Sequence, residues 1–415
     1  MEPIAAVQRN VEMTILRFSE RIALSGAILS FICLLVLCIS CNRNEKAVAY
    51  ELKKIHVPEK VTPSVKLSSW AHEIVILPLQ TTPSSLIDNV GRIVTTDNYI
   101  LISGSSIWLF DKSGNFLRTI GKRGEGPGEY ASVYDVIMNE DERIVEVLDR
   151  DRQKVLTYTM DGSFVGSWSA EIYSLSFTKL SGNYYFYGGS EFNEDSYHRI
   201  YIKKDGRTIG RLLPFNPVQS KFLHLRETNN FNLLGDTLVF MYSFSDTVYT
   251  LRNNQAYPRY FISYGKYQLP AALLQRDYDN IAECLMELRK TNYAFLVTRY
   301  SENTRHIYFS FERGGKRYQY IYDKNNNRGL VFEHTEDDML LHTRRLPMTI
   351  RSVYKDYLVS VMDAGNFRQK MDSLKWNAIN YRQSVKKYPV LEKLSDELED
   401  SDNPVLLFIK PAIKD

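Results

Sequence analysis

Along most of the chain, apolar and polar positions alternate in short runs, the period of half-buried strands. Five segments share one shape: a run rich in aromatic and β-branched residues, a short polar stretch with Gly or Asn, then a second such run. They are residues 107–120 (IWLFDKSGNFLRTI), 155–168 (VLTYTMDGSFVGSW), 199–212 (RIYIKKDGRTIGRL), 247–262 (TVYTLRNNQAYPRYFI) and 318–332 (YQYIYDKNNNRGLVF). Gly and Asn tolerate the positive φ of tight turns, so each segment predicts a β-hairpin. The aromatics before the turns are Phe110, Tyr158, Tyr201, Tyr249 and Tyr322, in steps of 48, 43, 48 and 73 positions. A sixth apolar run, 405–409, places Phe408 86 positions after Tyr322. The short steps have the pitch of a four-stranded propeller blade, about 40–50 residues.

Two segments explain the long steps, because in them the apolar period changes to that of a helix. In 269–290, Ile281, Leu285 and Leu288 share one face; in 367–398 the face runs through Met371, Leu374 and Ile379, with Pro389 as a break. Removing roughly 25 and 38 residues for these insertions restores a step of about 48. The predicted fold is therefore all-β, a six-bladed β-propeller with two helical insertions. An isolated apolar strand, 73–77, precedes the first hairpin. It is expected to share a blade with 405–409 and so fasten the ring, leaving no long exposed edge.

The N-terminal region has a different pattern. Residues 22–40 carry no charge and follow Arg17 and Arg21, which gives the basic and apolar regions of a secretory signal. The sequence Cys38-Ile39-Ser40-Cys41, followed by polar residues 42–46, resembles a bacterial lipobox. That resemblance implies lipidation of Cys41, although Cys38 stands where the pattern usually has Leu. The expected organisation is a signal peptide over 1–40, a polar tether over 41–68 with Pro58 and Pro63, and the propeller over 69–415. Either Met1 or Met13 would serve as the start. No acidic run follows Cys41, which favours the periplasmic side over the cell surface.

Composition narrows the classes. A hydrophobic content of 44% with 24% charged residues is that of a folded protein. The 52 Lys and Arg nearly balance 49 Asp and Glu, and no basic block is present, so nucleic acid is not an expected partner. The 28 Tyr and 20 Phe suit pleated surfaces. Of four cysteines, Cys33, Cys38 and Cys41 lie in the N-terminal region, and the remaining Cys284 reads as a buried apolar residue.

From Gly121 the chain reads GKRGEGPGEY and then YDVIMNEDERIVEVLDRDRQKVLTYTMDGSFV. This is similar to the NHL-type repeat, in which a Gly-rich loop precedes a strand, a turn and a strand ending in Asp. From about Trp70 onward the chain resembles the six-bladed β-propeller lipoproteins of gut Bacteroidetes, with FSDTVYTL (244–251), YPRYFISYGKYQLP (257–270) and DNPVLLFIKPAIK (402–414) in support. The resemblance implies a fold and an envelope location but no activity.

Candidate chemistry is sparse. Lys122, Arg123, Gly124, Gly126, Gly128 and Tyr130 suggest either an anion-binding loop of backbone amides or a connection between blades with Tyr130 packed inside. His334, Glu336, Asp337, Asp338 and His342 are ligand-type residues without metal-site spacing and read as a solvated loop. Asp149 and Asp151 read as hairpin charges pairing with Arg150 and Arg152. No G-x-S-x-G, HExxH or EF-hand pattern is present, so no catalytic residue, metal or cofactor is assigned. Trp376 and Tyr381 are candidate anchors for a partner. The function expected is non-catalytic: a lipid-anchored envelope module binding a glycan, peptide or partner protein. The alternative is a glycan-active or metal-dependent envelope enzyme with its site on the propeller axis.

Overall fold

The computed structural model describes residues 52–223, 225 and 229–414; the apolar segment 22–40 and Cys41 lie outside them. Six sheets follow one another along the chain. Sheet 1 comprises Ile93–Thr95, Tyr99–Ser103, Ile107–Asp111 and Phe116–Thr119. Sheet 2 comprises Asp135–Asn139, Ile144–Asp149, Lys154–Thr159 and Phe164–Ser169. Sheet 3 comprises Ser176–Leu180, Asn183–Tyr187, His198–Lys204 and Arg207–Pro214. Sheet 4 runs through Phe231–Leu234, Thr237–Phe240, Thr247–Arg252 and Gln255–Ser263. Sheet 5 runs through Ala294–Glu302, His306–Arg313, Lys316–Asp323 and Arg328–Glu336. Sheet 6 combines Thr349–Tyr354, Tyr357–Met362, Val405–Pro411 and Ala71–Pro78.

The first strand of each sheet packs against the first strand of the next, and Thr349–Tyr354 of sheet 6 returns to Ile93–Thr95 of sheet 1. The six first strands thus form a closed inner ring, the architecture of a β-propeller. All five hairpins expected from the pattern are present as the third and fourth strands of sheets 1–5. Their turns carry the positive φ that motivated them, at Gly114, Gly162, Gly206, Asn253, Asn254 and Asn327.

Ring closure follows the expected pairing. Val405–Pro411 lies between two neighbours, antiparallel to both; Ile409 opposes Ile74 and Leu407 opposes Ile76. Val405, Leu406, Leu407 and Ile409 are fully buried. The Asn403 side chain clamps the entry to this strand. Its amide donates to the Gln80 and Ser85 carbonyls, both at 2.8 Å, and its oxygen accepts from Ile87 N–H, also at 2.8 Å.

One expectation fails. Residues 53–66 are not a free tether, because Lys53–His56 adds a parallel fifth strand to sheet 4 and Thr62–Lys66 does the same on sheet 5. Ile55 and Val65 are buried there, and the remaining side chains of both strands are largely exposed, which is why the pattern reads as polar linker.

Both insertions are helical. The first contains helix α1 (Ile281–Arg289), capped by the Asn280 side chain accepting from Glu283 N–H. It packs through Cys284 and Leu288 against Phe222, Tyr278 and Phe295. The second contains α2 (Ala364–Lys375), α3 (Ala378–Lys387) and α4 (Val390–Glu397), and Pro389 is the N-cap of α4. It begins three residues before the expected boundary, where Asp363 caps α2 by accepting from Asn366 N–H. Phe367, Met371, Leu374, Leu391 and Leu394 join the core around Trp70 and Leu407. Each such side chain contributes about 1.5–3 kcal/mol when fully buried. Ile379, expected on the buried face, is 70% exposed.

Candidate functional site

The inner strands carry polar residues, and the middle of the ring is not filled by a hydrophobic core. A cavity of about 600 Å³ opens there, lined from all six sheets by Thr96, Met138, Thr178, Leu233, Asn303 and Val353 among others. A neighbouring cavity of about 520 Å³ shares Arg92, Val94, Met138, Thr178 and Leu233 and adds Glu140, Glu142, Glu146 and Lys179. Volumes in this range accommodate small ligands or the end of a larger one.

The cavity is held open by polar side chains that join one sheet to the next. The Asp135 carboxylate of sheet 2 accepts from Phe177 N–H of sheet 3 at 3.0 Å. Ser176 Oγ of sheet 3 donates to Asn230 Oδ1, which precedes sheet 4, at 3.0 Å. Glu302 N–H of sheet 5 reaches Asn232 Oδ1 of sheet 4 at 3.4 Å. The Arg92 guanidinium, at the entry to sheet 1, donates to Asn229 Oδ1 at 2.7 Å, and the Asn229 amide donates to the Arg351 carbonyl of sheet 6. Buried groups joined in this way fix the spacing of the strands. Beneath the mouth, the wholly buried Glu302 carboxylate meets Arg259 at 2.9 Å, Lys324 at 3.0 Å and Tyr300 Oη at 2.7 Å. These contacts neutralise Glu302 and make it a strut between sheets 4 and 5.

The glycine-rich loop takes the second of its two readings. Tyr130 is fully buried in the core between sheets 1 and 2. Two of its glycine amides are already occupied: Gly124 N–H donates to the Tyr130 carbonyl and Gly126 N–H to the Glu129 carboxylate. Lys122 is paired with Glu129 at 2.8 Å, while Arg152 binds the Gly124 and Glu129 carbonyls, each at 2.7 Å. A Cβ at Gly128 would meet the Phe164 ring at 2.7 Å, so close packing accounts for that glycine. Of the six residues Lys122, Arg123, Gly124, Gly126, Gly128 and Tyr130, the Gly124 and Gly126 amides and the Lys122 ammonium are thus engaged within the loop, and Tyr130 packs inside as the connector reading expects.

The acidic segment is likewise engaged internally. Asp337 accepts from the N–H groups of Met339, Leu340 and Leu341, and Asp338 accepts from the Ser68 N–H and hydroxyl. Asp149 is buried and accepts from Ala131 N–H at 2.8 Å, with Arg152 at 3.8 Å. Arg150 pairs with Glu191 rather than with a neighbouring Asp. Among the described residues, no group of three or more His, Cys, Asp or Glu is arranged to hold a metal. Trp376, at the end of α2, is 92% exposed. Tyr381 is instead half-buried and reaches Ser395 Oγ at 3.4 Å, bracing α3 on α4. Cys284 is buried, and burial pushes its thiol up to about 11.

The sequence reading missed the axial residues Arg92, Thr178, Asn229 and Leu233. Only their position at or just before the first strand of a repeat would have pointed to them.

A family model described as a domain of unknown function, DUF4934, matches residues 52–410. The chain belongs to the DUF4934 family. No curated protein matches the sequence. Among solved structures, a Bacteroides fragilis protein named for its predicted export is 21% identical, with a TM-score of 0.69 over 87% of this chain and 100% of its own. This likeness shows a shared fold. A DUF4221 member from Bacteroides vulgatus is 9% identical, covering 82% of this chain and 97% of its own at a TM-score of 0.47. The β-propeller domain of the Trilobed protease from Pyrococcus furiosus is 13% identical, covering 66% and 78% at 0.35.

Proposed function

We propose that this DUF4934 chain is an exported module of the cell envelope, held to a membrane through Cys41, that binds a ligand at the axial mouth of a six-bladed propeller without transforming it. The observation that carries the reading is the cavity lined from all six sheets, since a rigid ring with a polar opening on its axis is suited to capture. Thr178 offers a hydroxyl and Asn303 an amide nitrogen without a partner, groups of the kind that bind sugars or peptide backbone. Export is supported by the apolar segment 22–40 and by the likeness to the Bacteroides fragilis protein.

The test is a binding screen of the purified full chain against glycan and peptide arrays, repeated with Leu233→Trp to fill the mouth. A ligand retained by the wild type and lost from the variant, with an unchanged melting temperature, is expected. Ligands retained equally by both would move the site away from the axis.

A further inference from the structure

Two arginines on the inner ring have no counter-charge among the described residues. Arg299 lies on Ala294–Glu302, the first strand of sheet 5, and Arg351 on Thr349–Tyr354, the first strand of sheet 6; these strands pack against each other. Among the described residues no hydrogen bond or ion pair reaches either guanidinium, and Arg299 Nη1 and Arg351 Nε are buried without a partner. Burial and the nearby charge of Arg351 bring Arg299 down to about 10, and burial lowers Arg351. Both remain charged near neutral pH. Both side chains are only partly exposed, and a partly buried cation without a counter-charge is unfavourable; here two occur on adjacent strands.

The backbone is built to present them. The ladder of sheet 5 slips between Thr298 and Ser301, so Arg299 lies in a bulge, with φ +59°. The ladder of sheet 6 slips between Ile350 and Ser352, which leaves Arg351 as the extra residue. Bulges re-aim side chains, and a left-handed non-glycine residue is held only where its surroundings impose it. The arginines border the cavity and do not line it: Ser352, next to Arg351, is a lining residue, and Asn229, another, donates to the Arg351 backbone carbonyl and accepts from Arg92. Arg92 is partly neutralised by Asp135 at 3.9 Å, whereas among the described residues no carboxylate serves Arg299 or Arg351.

We propose that Arg299 and Arg351 bind an oxyanion carried by the ligand of the axial cavity: a sulfate or phosphate ester, or a carboxylate. The guanidinium fork matches all three through paired N–H donors, and an ionised ligand restores the charge balance that the fold lacks. This inference rests on the axial reading above and specifies the chemistry that the mouth selects.

The experiment is calorimetric titration of the purified full chain with sodium phosphate, sulfate and acetate, at ionic strength held constant with chloride. Wild type, Arg299→Gln, Arg351→Gln, the double variant and Lys122→Gln as a surface control are compared. The wild type should bind at least one of the three anions, and each axial substitution should weaken binding by about 10- to 100-fold, the loss of a hydrogen bond to a charged group. Lys122→Gln should bind like the wild type. Preference for phosphate and sulfate would assign an ester group, and preference for acetate a carboxylate. In chloride alone, neither axial substitution should lower the melting temperature, because each removes an uncompensated charge. No anion binding by the wild type, or binding unchanged in the double variant, overturns the proposal. So does a lowered melting temperature in chloride, which would assign the arginines to packing. If Leu233→Trp abolishes an array ligand that the double variant keeps, the axial site stands and the oxyanion assignment alone fails.

Discussion

Replacing Leu407 by Ala tests whether the ring is held as one cooperative unit. Leu407 is fully buried in the strand that joins the two ends of the domain, opposite Ile76 on one side and Ser360 on the other. It belongs to the same core as Trp70, Ile350, Leu358 and the α2–α4 insertion. Neighbours on every side prevent the cavity from collapsing, which places the cost in the upper part of the Leu→Ala range, about 3–5 kcal/mol. A domain's whole stability is only about 5–15 kcal/mol, so the variant loses a large share of it. Removing residues 404–415 deletes this central strand and leaves Ala71–Pro78 without a partner, and it should abolish cooperative folding. Urea denaturation followed by tryptophan fluorescence reads both effects. Trp70 reports on sheet 6 and Trp168 on sheet 2, so two single-tryptophan versions give independent views of one transition. Both should shift together to lower urea in Leu407→Ala. A shift at Trp70 alone would show that the sheets unfold separately, and a truncated chain with the wild-type midpoint would refute closure by this strand.

Three further outcomes are expected. Burial pushes the Asp246 carboxyl up to about 6, against about 3.9 in an unfolded chain, so the folded form holds the proton more tightly. That contribution is fully present below pH 4 and is lost as the pH rises through 6. Wild-type stability should therefore fall by about 2–3 kcal/mol between pH 4 and 7 from this group, and Asp246→Asn should flatten the profile; parallel profiles would contradict it. Glu302→Ala leaves Arg259 and Lys324 facing an empty buried position and should cost about 3–5 kcal/mol in urea denaturation, with a loss under 1 kcal/mol counting against the strut. Cys41→Ser should abolish incorporation of a labelled fatty acid in cells, and labelling that persists would place the anchor elsewhere.

The hairpins were readable because their turns need residues that tolerate positive φ, and such residues stand between apolar runs at each site. The closing pair was readable for another reason: strands buried on both faces appear as continuous apolar runs, as in 405–409. The parallel strands at Lys53–His56 and Thr62–Lys66 were not, since each buries a single side chain on an outer edge. The loop at 121–130 was ambiguous because glycine marks close packing as readily as backbone binding, and at Gly128 the cause is the Phe164 ring. The axial arginines were invisible. Their significance depends on two register slips and on the missing counter-charge, neither of which is encoded by local pattern.

The pairing of Ala71–Pro78 with Val405–Pro411 also fixes when this protein can fold. The two strands are separated by more than 300 residues, so the early strand cannot be paired until synthesis has reached the end of the domain. At about 5–20 residues per second, that interval is on the order of 15–70 seconds. During it, sheets 1–5 can form locally, while sheet 6 holds only its first hairpin and Ala71–Pro78 offers an open edge. A late-completing sheet of this kind delays closure until the strand Val405–Pro411 has been made. It also makes the waiting edge the point where a chaperone would act or aggregation would begin.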